Sequence, residues 1–242
     1  MVPPDVFIPI AERIGLIRTL GLQVLQQAHR GAVQLCAEAG RSFRLGVNLS
    51  ATQIDDPALA DQVEIFQQES PAVSLVLELT EGTMLGDDQA TVEALHRLKS
   101  LGAILAIDDF GTGYSSIGYL HRLPLDILKI DKVFVQNLTD PRSHALVQGV
   151  VAMARAMRLT VVTEGVEDWP SAIAVRDLGS DLAQGYLFSR PVDLAAALGL
   201  ARVGRVDLGP MTCPVPGASG RQGAQGSEPA AASVLATSQP VR

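Results

Sequence analysis

The stretch ILAIDDFGTGYSS, residues 104–116, decides the fold. An apolar run with strand character ends on two adjacent carboxylates, Asp108 and Asp109, and a glycine-punctuated loop follows it. Adjacent strand residues point to opposite faces of a sheet, so both carboxylates can reach one site only at the open edge of that sheet. Such an edge suits divalent metal ions, which need several oxygen ligands. Taken alone, the stretch is equally consistent with an Asp-rich turn whose glycines adopt positive φ.

Outward from this stretch, apolar runs alternate with helical patterns, which is typical of parallel βα units. The sequence predicts six strands, at residues 44–49, 75–80, 104–109, 127–131, 160–164 and 181–187. Two helices precede the first of these strands. A closed (β/α)8 barrel needs eight strands. The pattern therefore predicts an α/β, TIM-like (β/α)8 barrel that is incomplete at its N-terminal side.

Polar side chains lie within or just after each apolar run, near the C-terminal end of the predicted strand. They are Asn48, Glu78, Asp108 with Asp109, Lys129, Glu164 and Gln184. In parallel barrels the catalytic residues gather at this end, one from each of several strands. A single such residue is more often a cap or a surface charge, but the same feature on six strands is hard to attribute to chance because buried unpaired charges are costly. The set predicts a metal-dependent phosphate-ester hydrolase with Asp108 as a bridging ligand.

Length, composition and charge limit the kinds of protein and partner that this sequence can represent. The 242 residues, 47% of them hydrophobic, have ordinary globular composition. The net charge of −7 argues against a DNA or RNA partner, which would need a basic surface. The sequence has no apolar stretch of membrane-spanning length and no signal pattern, so we expect a cytoplasmic protein. We expect one domain at residues 1–200 and a disordered tail, rich in Gly, Pro, Ala and Ser, at residues 201–242.

Six motifs carry a resemblance to a known family. In order and spacing, the chain resembles the EAL family of bacterial cyclic di-GMP phosphodiesterases through NLS, ELTEGT, DDFGTGYSS, LKID, TEGVE and AQGYLFSRP, over roughly residues 2–192. The resemblance implies a TIM-like barrel, a site with two Mg²⁺ or Mn²⁺ ions, and hydrolysis of cyclic di-GMP to its linear dinucleotide. It also implies a possible homodimer and an upstream sensory or GGDEF-type domain in a longer parent protein.

The resemblance implies a role for each matching residue. Asn48, Glu78 and Asp108 would bind one metal ion, and Asp108 with Asp109 would bind the second. Glu164 would lie at the metal centre, and Lys129 would hold or polarise the attacking water, so that Lys129, Glu164 and Asp109 form the catalytic set. Gln184 would contact the water or the substrate, and Glu167 would contact the substrate. Glu81 would hold the loop at residues 110–116, and Gly111 and Gly113 would shape the backbone of that loop.

The sequence departs from the family at the motif that gives the family its name. The family's first strand carries a Glu-Ala-Leu whose Glu binds metal, followed by an Arg that binds a substrate phosphate, and neither is present here. Glu93-Ala94-Leu95 lies elsewhere, among apolar residues that repeat every three positions, so it is predicted to be helical, with Glu93 exposed. We therefore hypothesise an N-terminally shortened piece of a longer protein. We expect weak or no hydrolysis, because a carboxylate bound directly to the metal and an Arg bound to the phosphate both contribute strongly to metal and substrate binding.

Two other interpretations remain open at this point. A catalytically inactive cyclic di-GMP receptor or protein-interaction module would explain the missing strand, although the polar residues at the strand ends are intact. An enolase-like metal-dependent barrel also combines carboxylates on successive strands with a lysine. The adjacent Asp pair and the glycine-rich loop after it argue against the enolase-like alternative.

Overall fold

The computed structural model describes residues 2–80, 89–111, 120–203 and 236–237. In these ranges the strands are β1 (Phe43–Leu49), β2 (Val73–Thr80), β3 (Ile104–Phe110), β4 (Ile127–Ile130), β5 (Thr160–Thr163), β6 (Leu182–Ala183) and β7 (Ala236–Thr237). The helices are α1 (Pro4–Arg13), α2 (Ile17–Ala39), α3 (Pro57–Glu69), α4 (Gln89–Ser100), α5 (Lys132–Val135), α6 (Pro141–Ala156), α7 (Trp169–Leu178) and α8 (Leu194–Val203), and a 3-10 turn covers Ala51–Gln53.

The strands form one parallel sheet in the order β6-β5-β4-β3-β2-β1-β7. The first six strands lie side by side in chain order, and helices connect β1 to β2, β2 to β3, β4 to β5 and β5 to β6. This winding of consecutive βα units is the one that builds TIM-like barrels. The six predicted strands and the α/β fold class are confirmed.

The two faces of the sheet bury different side chains. One face packs against the helices and forms the main hydrophobic core, which includes Leu77, Leu105 and Leu128. The opposite face carries a small apolar cluster of Val76, Ala106, Ile127 and Val162. Because side chains alternate along a strand, the residues two positions after this cluster lie on the same face, nearer the C-terminal ends of the strands. Those residues are Glu78, Asp108, Lys129 and Glu164.

The Glu-Ala-Leu at residues 93–95 lies in α4, as predicted. Leu95 is buried together with Val92 and Leu98, which fixes the inward face of the helix, and Glu93 is exposed. Among the described residues, none of the helices combines the length and the hydropathy that a membrane span requires.

β6 is shorter than the strand predicted at residues 181–187. After Ala183 the chain leaves the sheet, and Phe188 N–H donates to the Gly185 carbonyl. Gly185 lies so close to Val166 that a Cβ there would overlap the Val166 backbone. This approach of the two main chains holds the segment after β6 against the segment after β5 in place of regular pairing.

Part of the segment predicted as a tail has regular structure. α8 extends past residue 200 to Val203, and β7 pairs with Leu45 and Gly46 of β1. Residues 204–235 and 238–242 lie outside the described residues, so the disorder expected there stays a prediction.

Candidate metal centre

A buried lysine joins three carboxylates at the C-terminal edge of the sheet. Lys129 Nζ lies 2.9 Å from Glu78 Oε2, 2.9 Å from Asp108 Oδ1 and 2.7 Å from Glu164 Oε1. An ammonium group has three hydrogen-bond donors, and here three carboxylates, from β2, from β3 and from the residue after β5, surround the group. The Lys129 side chain is only 3% exposed and that of Glu78 only 4%, so these charges interact in a low-dielectric environment.

Asp108 and Asp109 both belong to this cluster because β3 is irregular at this point. The register between β3 and β4 shifts between Ile107 and Phe110, and Asp109 adopts a left-handed φ of 55°, which is uncommon for a non-glycine residue. Asp109 N–H donates to Asp108 Oδ1 at 3.0 Å. A bulge of this kind redirects a side chain that would otherwise point to the opposite face. The bulge therefore brings adjacent carboxylates to one site.

Burial raises the pKa values of three carboxyl groups at this site, those of Glu78, Asp109 and Glu164. Burial is the main cause for Glu78 and Glu164, and it outweighs the attraction of Lys129, so the pKa of each carboxyl is raised. Burial, followed by the neighbouring Asp108 and Asp131, raises the pKa of Asp109 to about 6. Burial would lower the pKa of Lys129, but its carboxylate neighbours reverse that effect and raise it. Lys129 therefore stays protonated, and its single positive charge does not balance the negative charges of the carboxylates around it.

The donor set fits a hard divalent cation. One carboxylate oxygen from each of Asp108, Asp109 and Glu164 lies within 4.8 Å of the others. Oxygen-only sites of this kind suit Mg²⁺ or Mn²⁺. Burial raises the pKa values of Asp109 and Glu164, and a cation held among these oxygens would stabilise their ionised forms.

Gly46 of β1 shapes the site through its lack of a side chain. A Cβ at Gly46 would overlap Glu78 Oε1, so the Glu78 carboxylate occupies the space above this glycine. Gly46 is not among the site residues predicted from the sequence. A glycine inside the apolar run RLGVNL is the signal that could have identified it, since strand glycines often mark a close approach.

Asp131 is a second residue that the sequence analysis missed. It is buried, and its carboxylate accepts a hydrogen bond from Val133 N–H at 2.8 Å, which caps α5. Its charge and a hydrogen bond contribute to the raised pKa of Asp109, so the two carboxyl groups are neighbours. A carboxylate directly after a buried strand, as at Glu164, was the available signal.

The other predicted residues lie near the carboxyl ends of β1, β5 and β6 or outside the described residues. Asn48 is exposed near the end of β1, directly opposite Glu78 in the strand register. Gln184 follows β6 and is partly buried, with its main chain bonded to Thr163 and Val166. Glu167 is exposed between β5 and α7, and the substrate contact expected for it stays a prediction.

The loop residues are described only in part. Gly111 has a φ of 99°, and a Cβ there would approach the Phe134 ring to 2.7 Å, so both its conformation and its surroundings require glycine. Glu81 and Gly113 lie outside the described residues, and the roles expected for them stay predictions.

The fold and the site together define a class of protein. It is a parallel, barrel-like α/β protein in which acidic residues that could bind a metal ion lie at the carboxyl ends of the strands. The family model for the EAL domain matches residues 1–191. The chain belongs to the EAL-domain family, and the resemblance found in its motifs is confirmed.

The individual relatives agree with this membership. The chain is 40% identical over 210 residues to the cyclic di-GMP phosphodiesterase NbdA of Pseudomonas aeruginosa, covering 86% of this chain and 27% of that protein. It is 36% identical over 195 residues to the cyclic di-GMP phosphodiesterase RocR of the same organism, covering 79% of this chain and 50% of RocR. The chain thus spans half or less of the length of these curated relatives.

Solved structures show the same fold. The PaMucR phosphodiesterase in complex with c-di-GMP has a TM-score of 0.72 and 37% identity, over 80% of this chain and 79% of that one. The EAL enzyme Bd1971, in its cAMP- and cyclic-di-GMP-bound form, has a TM-score of 0.77 and 32% identity, over 83% of this chain and 56% of that one.

Proposed function

We propose that this chain binds cyclic di-GMP and hydrolyses one of its phosphodiester bonds, in a metal-dependent reaction that yields the linear dinucleotide. One observation carries the proposal: Lys129 and the carboxylates of Glu78, Asp108 and Glu164 form a largely buried cluster at the C-terminal edge of the sheet in an EAL domain. Relatives that share this domain are named cyclic di-GMP phosphodiesterases.

The residues that would hold the metal ions are those with oxygen donors at this edge. Asn48, Glu78 and Asp108 would hold one Mg²⁺ or Mn²⁺ ion, Asp108 and Asp109 the other, with Glu164 beside them. When bound, the ions supply Lewis acidity and an activated water.

The chain's own residues would orient the reaction and move its protons. A water oxygen bonds to phosphorus, the bond from phosphorus to one ribose oxygen breaks, and that oxygen leaves with a proton. Glu164 and Asp109 would accept and return protons, the catalytic role that the family resemblance gives them. Lys129 would orient the water, which requires it to exchange one of its three carboxylate partners when metal and substrate bind.

Other parts of the proposal rest on the family. Gln184 and Glu167 would contact water or substrate, and Glu81 would position the loop that contains Gly111 and Gly113. We also propose weak turnover for this chain, because Glu93 of its Glu-Ala-Leu lies exposed on α4 and supplies no ligand. A homodimer, a cytoplasmic location and a GGDEF-type neighbour domain belong to the same proposal, the last supported by the naming of MucR as a bifunctional diguanylate cyclase and phosphodiesterase.

A turnover assay tests the proposal. The 242-residue chain is incubated with cyclic di-GMP and Mn²⁺, with and without EDTA, and the linear dinucleotide is quantified by chromatography. We expect slow, EDTA-sensitive turnover that D108N abolishes and D177N leaves unchanged, since Asp177 is an exposed partner of Arg176. Tight binding of cyclic di-GMP without product would instead support the receptor alternative, and the absence of both would contradict the proposal.

A further inference from the structure

The turn after β1 is fixed by side chains that the proposed chemistry does not use. Ser50 and Gln53 close the 3-10 turn at Ala51–Gln53: Gln53 N–H donates to the Ser50 carbonyl at 3.0 Å, and Ser50 N–H donates to Gln53 Oε1 at 3.0 Å. The Ser50 hydroxyl also donates to Glu12 Oε1 of α1 at 2.5 Å. These three residues, which we call the Ser50 network, join α1 to the end of β1.

Gln53 is held against α2 at a position that only glycine permits. Its side chain is almost fully buried, and a Cβ on Gly21 would overlap its amide nitrogen. The amide cannot simply rotate away, because its oxygen is bonded to Ser50 N–H. This contact explains a glycine in the interior of α2, where alanine is ordinarily more stable.

Ser50 lies two residues beyond Asn48, at a point where the described residues give β1 a strand neighbour on one side only. β1 pairs with β2 along its whole length, including Asn48 opposite Glu78, but it pairs with β7 only at Leu45 and Gly46. In the part of the chain that the structure describes, the second side of Asn48 has no strand neighbour. Its placement therefore depends on β2 and on the turn that follows.

We infer that Glu12, Ser50 and Gln53 are positioning residues that hold Asn48 at the metal centre. The inference rests on the proposed function, in which Asn48 is a metal ligand. Groups that orient metal ligands typically change metal affinity by roughly 10–100-fold when they are removed.

Metal affinity, measured without any reaction, tests this inference. Mn²⁺ is titrated calorimetrically into the full 242-residue chain and into its S50A, S50T and S100A variants. S50A is expected to bind Mn²⁺ roughly 10-fold more weakly, while S50T, which keeps the hydroxyl, restores the affinity. S100A is the matched control, since the Ser100 hydroxyl donates to the Arg97 carbonyl at the end of α4, and it should bind like the parent.

The N48A variant separates this inference from the proposed function. If N48A weakens Mn²⁺ binding and S50A does not, the positioning role is wrong and the assignment of Asn48 stands. If N48A binds Mn²⁺ as the parent does, the proposed assignment of Asn48 is itself wrong.

A pair of glycine variants gives a second test. Gly149 lies in α6 with open space around it, so G149A should raise Tm by roughly 2–4 °C. G21A adds the same methyl group to a helix interior but displaces Gln53, so it should lower Tm and weaken Mn²⁺ binding. A gain in Tm for G21A with unchanged Mn²⁺ affinity would contradict the inference.

Discussion

The ammonium of Lys129 lies 2.7 Å from the Glu164 carboxylate, although 34 intervening residues, including α5 and α6, separate them in the chain. Lys129 is on β4 and Glu164 follows β5, and the two strands are neighbours in the sheet. The parallel winding therefore places charges from distant parts of the sequence at one edge. Since the carboxyl pKa values are raised despite this contact, one ammonium does not neutralise the cluster.

Replacing Lys129 with methionine should destabilise the metal-free protein. K129M leaves the carboxylates of Glu78, Asp108 and Glu164 without their buried counter-charge, and removing one partner of a buried ion pair costs about 3–5 kcal/mol. Urea unfolding in EDTA measures the change. K99M is the control, because the pair between Lys99 and Asp126 is partly exposed and should contribute within about 1 kcal/mol. Equal unfolding midpoints for K129M and the parent would show that the cluster is not a stabilising ion-pair network.

Adding one methyl group at Gly46 should damage both the site and the fold. G46A forces the Glu78 carboxylate out of the space that it occupies, so we expect a loss of about 1–3 kcal/mol in stability and Mn²⁺ binding roughly 10-fold weaker or worse. G199A is the control, because a Cβ at Gly199 in α8 would meet open space. It should lower neither the stability nor the Mn²⁺ affinity. Calorimetric titration with Mn²⁺ decides the matter, and parent-like affinity in G46A would refute the placement of Glu78 at the metal.

The stability of the metal-free protein should depend on pH through Asp109. Its pKa is about 6 in the folded chain and near ~4 when unfolded, so the protonated group stabilises the fold at low pH and this contribution is lost as pH rises through about 6. D109N resembles the protonated form, so its stability relative to the parent should increase as pH rises from roughly 4 to 7. Urea unfolding in EDTA across this pH range measures the difference in stability between D109N and the parent. A difference that stays constant with pH would contradict the raised pKa of Asp109.

Protons and metal should compete at the same carboxylates. Because Asp109 must be ionised to act as a ligand, Mn²⁺ affinity should fall as pH drops below about 6, the pKa of Asp109. Titration calorimetry at several pH values tests this expectation. An affinity that does not change across that range would mean that Asp109 is not a ligand.

The Glu-Ala-Leu in α4 should have no part in the chemistry. E93A removes an exposed carboxylate that accepts a hydrogen bond from Gln89, so it should change stability by no more than about 0.5 kcal/mol and leave Mn²⁺ affinity unchanged. D108N, tested beside it, should lose Mn²⁺ binding. A loss of metal affinity in E93A that matched D108N would overturn the interpretation of α4 as an outer helix.

Much of this site could be predicted because its residues lie at the ends of buried strands. The apolar runs before Asp108, Lys129 and Glu164 are visible in the sequence, and parallel winding brings such ends to one edge. The bulge at Asp109 could not be predicted, since it depends on the register of β3 against β4 and on a left-handed backbone. The contact of Gly46 with Glu78 joins the neighbouring strands β1 and β2, so no local sequence pattern could reveal it.

The Ser50 network shows a second limit of the sequence. Capping of a turn by Ser50 and Gln53 is a local pattern that sequence can suggest. The contacts of this turn with Glu12 and Gly21 depend on how α1 and α2 pack against β1, and that packing is tertiary. Residues that support a site from neighbouring helices are therefore harder to identify than the residues that form it.

The most direct test of the central claim is anomalous diffraction from crystals of the 242-residue chain grown with saturating Mn²⁺. We predict an anomalous peak within coordination distance, about 2.0–2.4 Å, of carboxylate oxygens of Asp108 and Asp109, with Glu164 beside it. A well-ordered cluster in which Lys129 keeps all three carboxylate contacts, with no anomalous peak among them, would contradict the claim that this edge of the sheet is a metal centre.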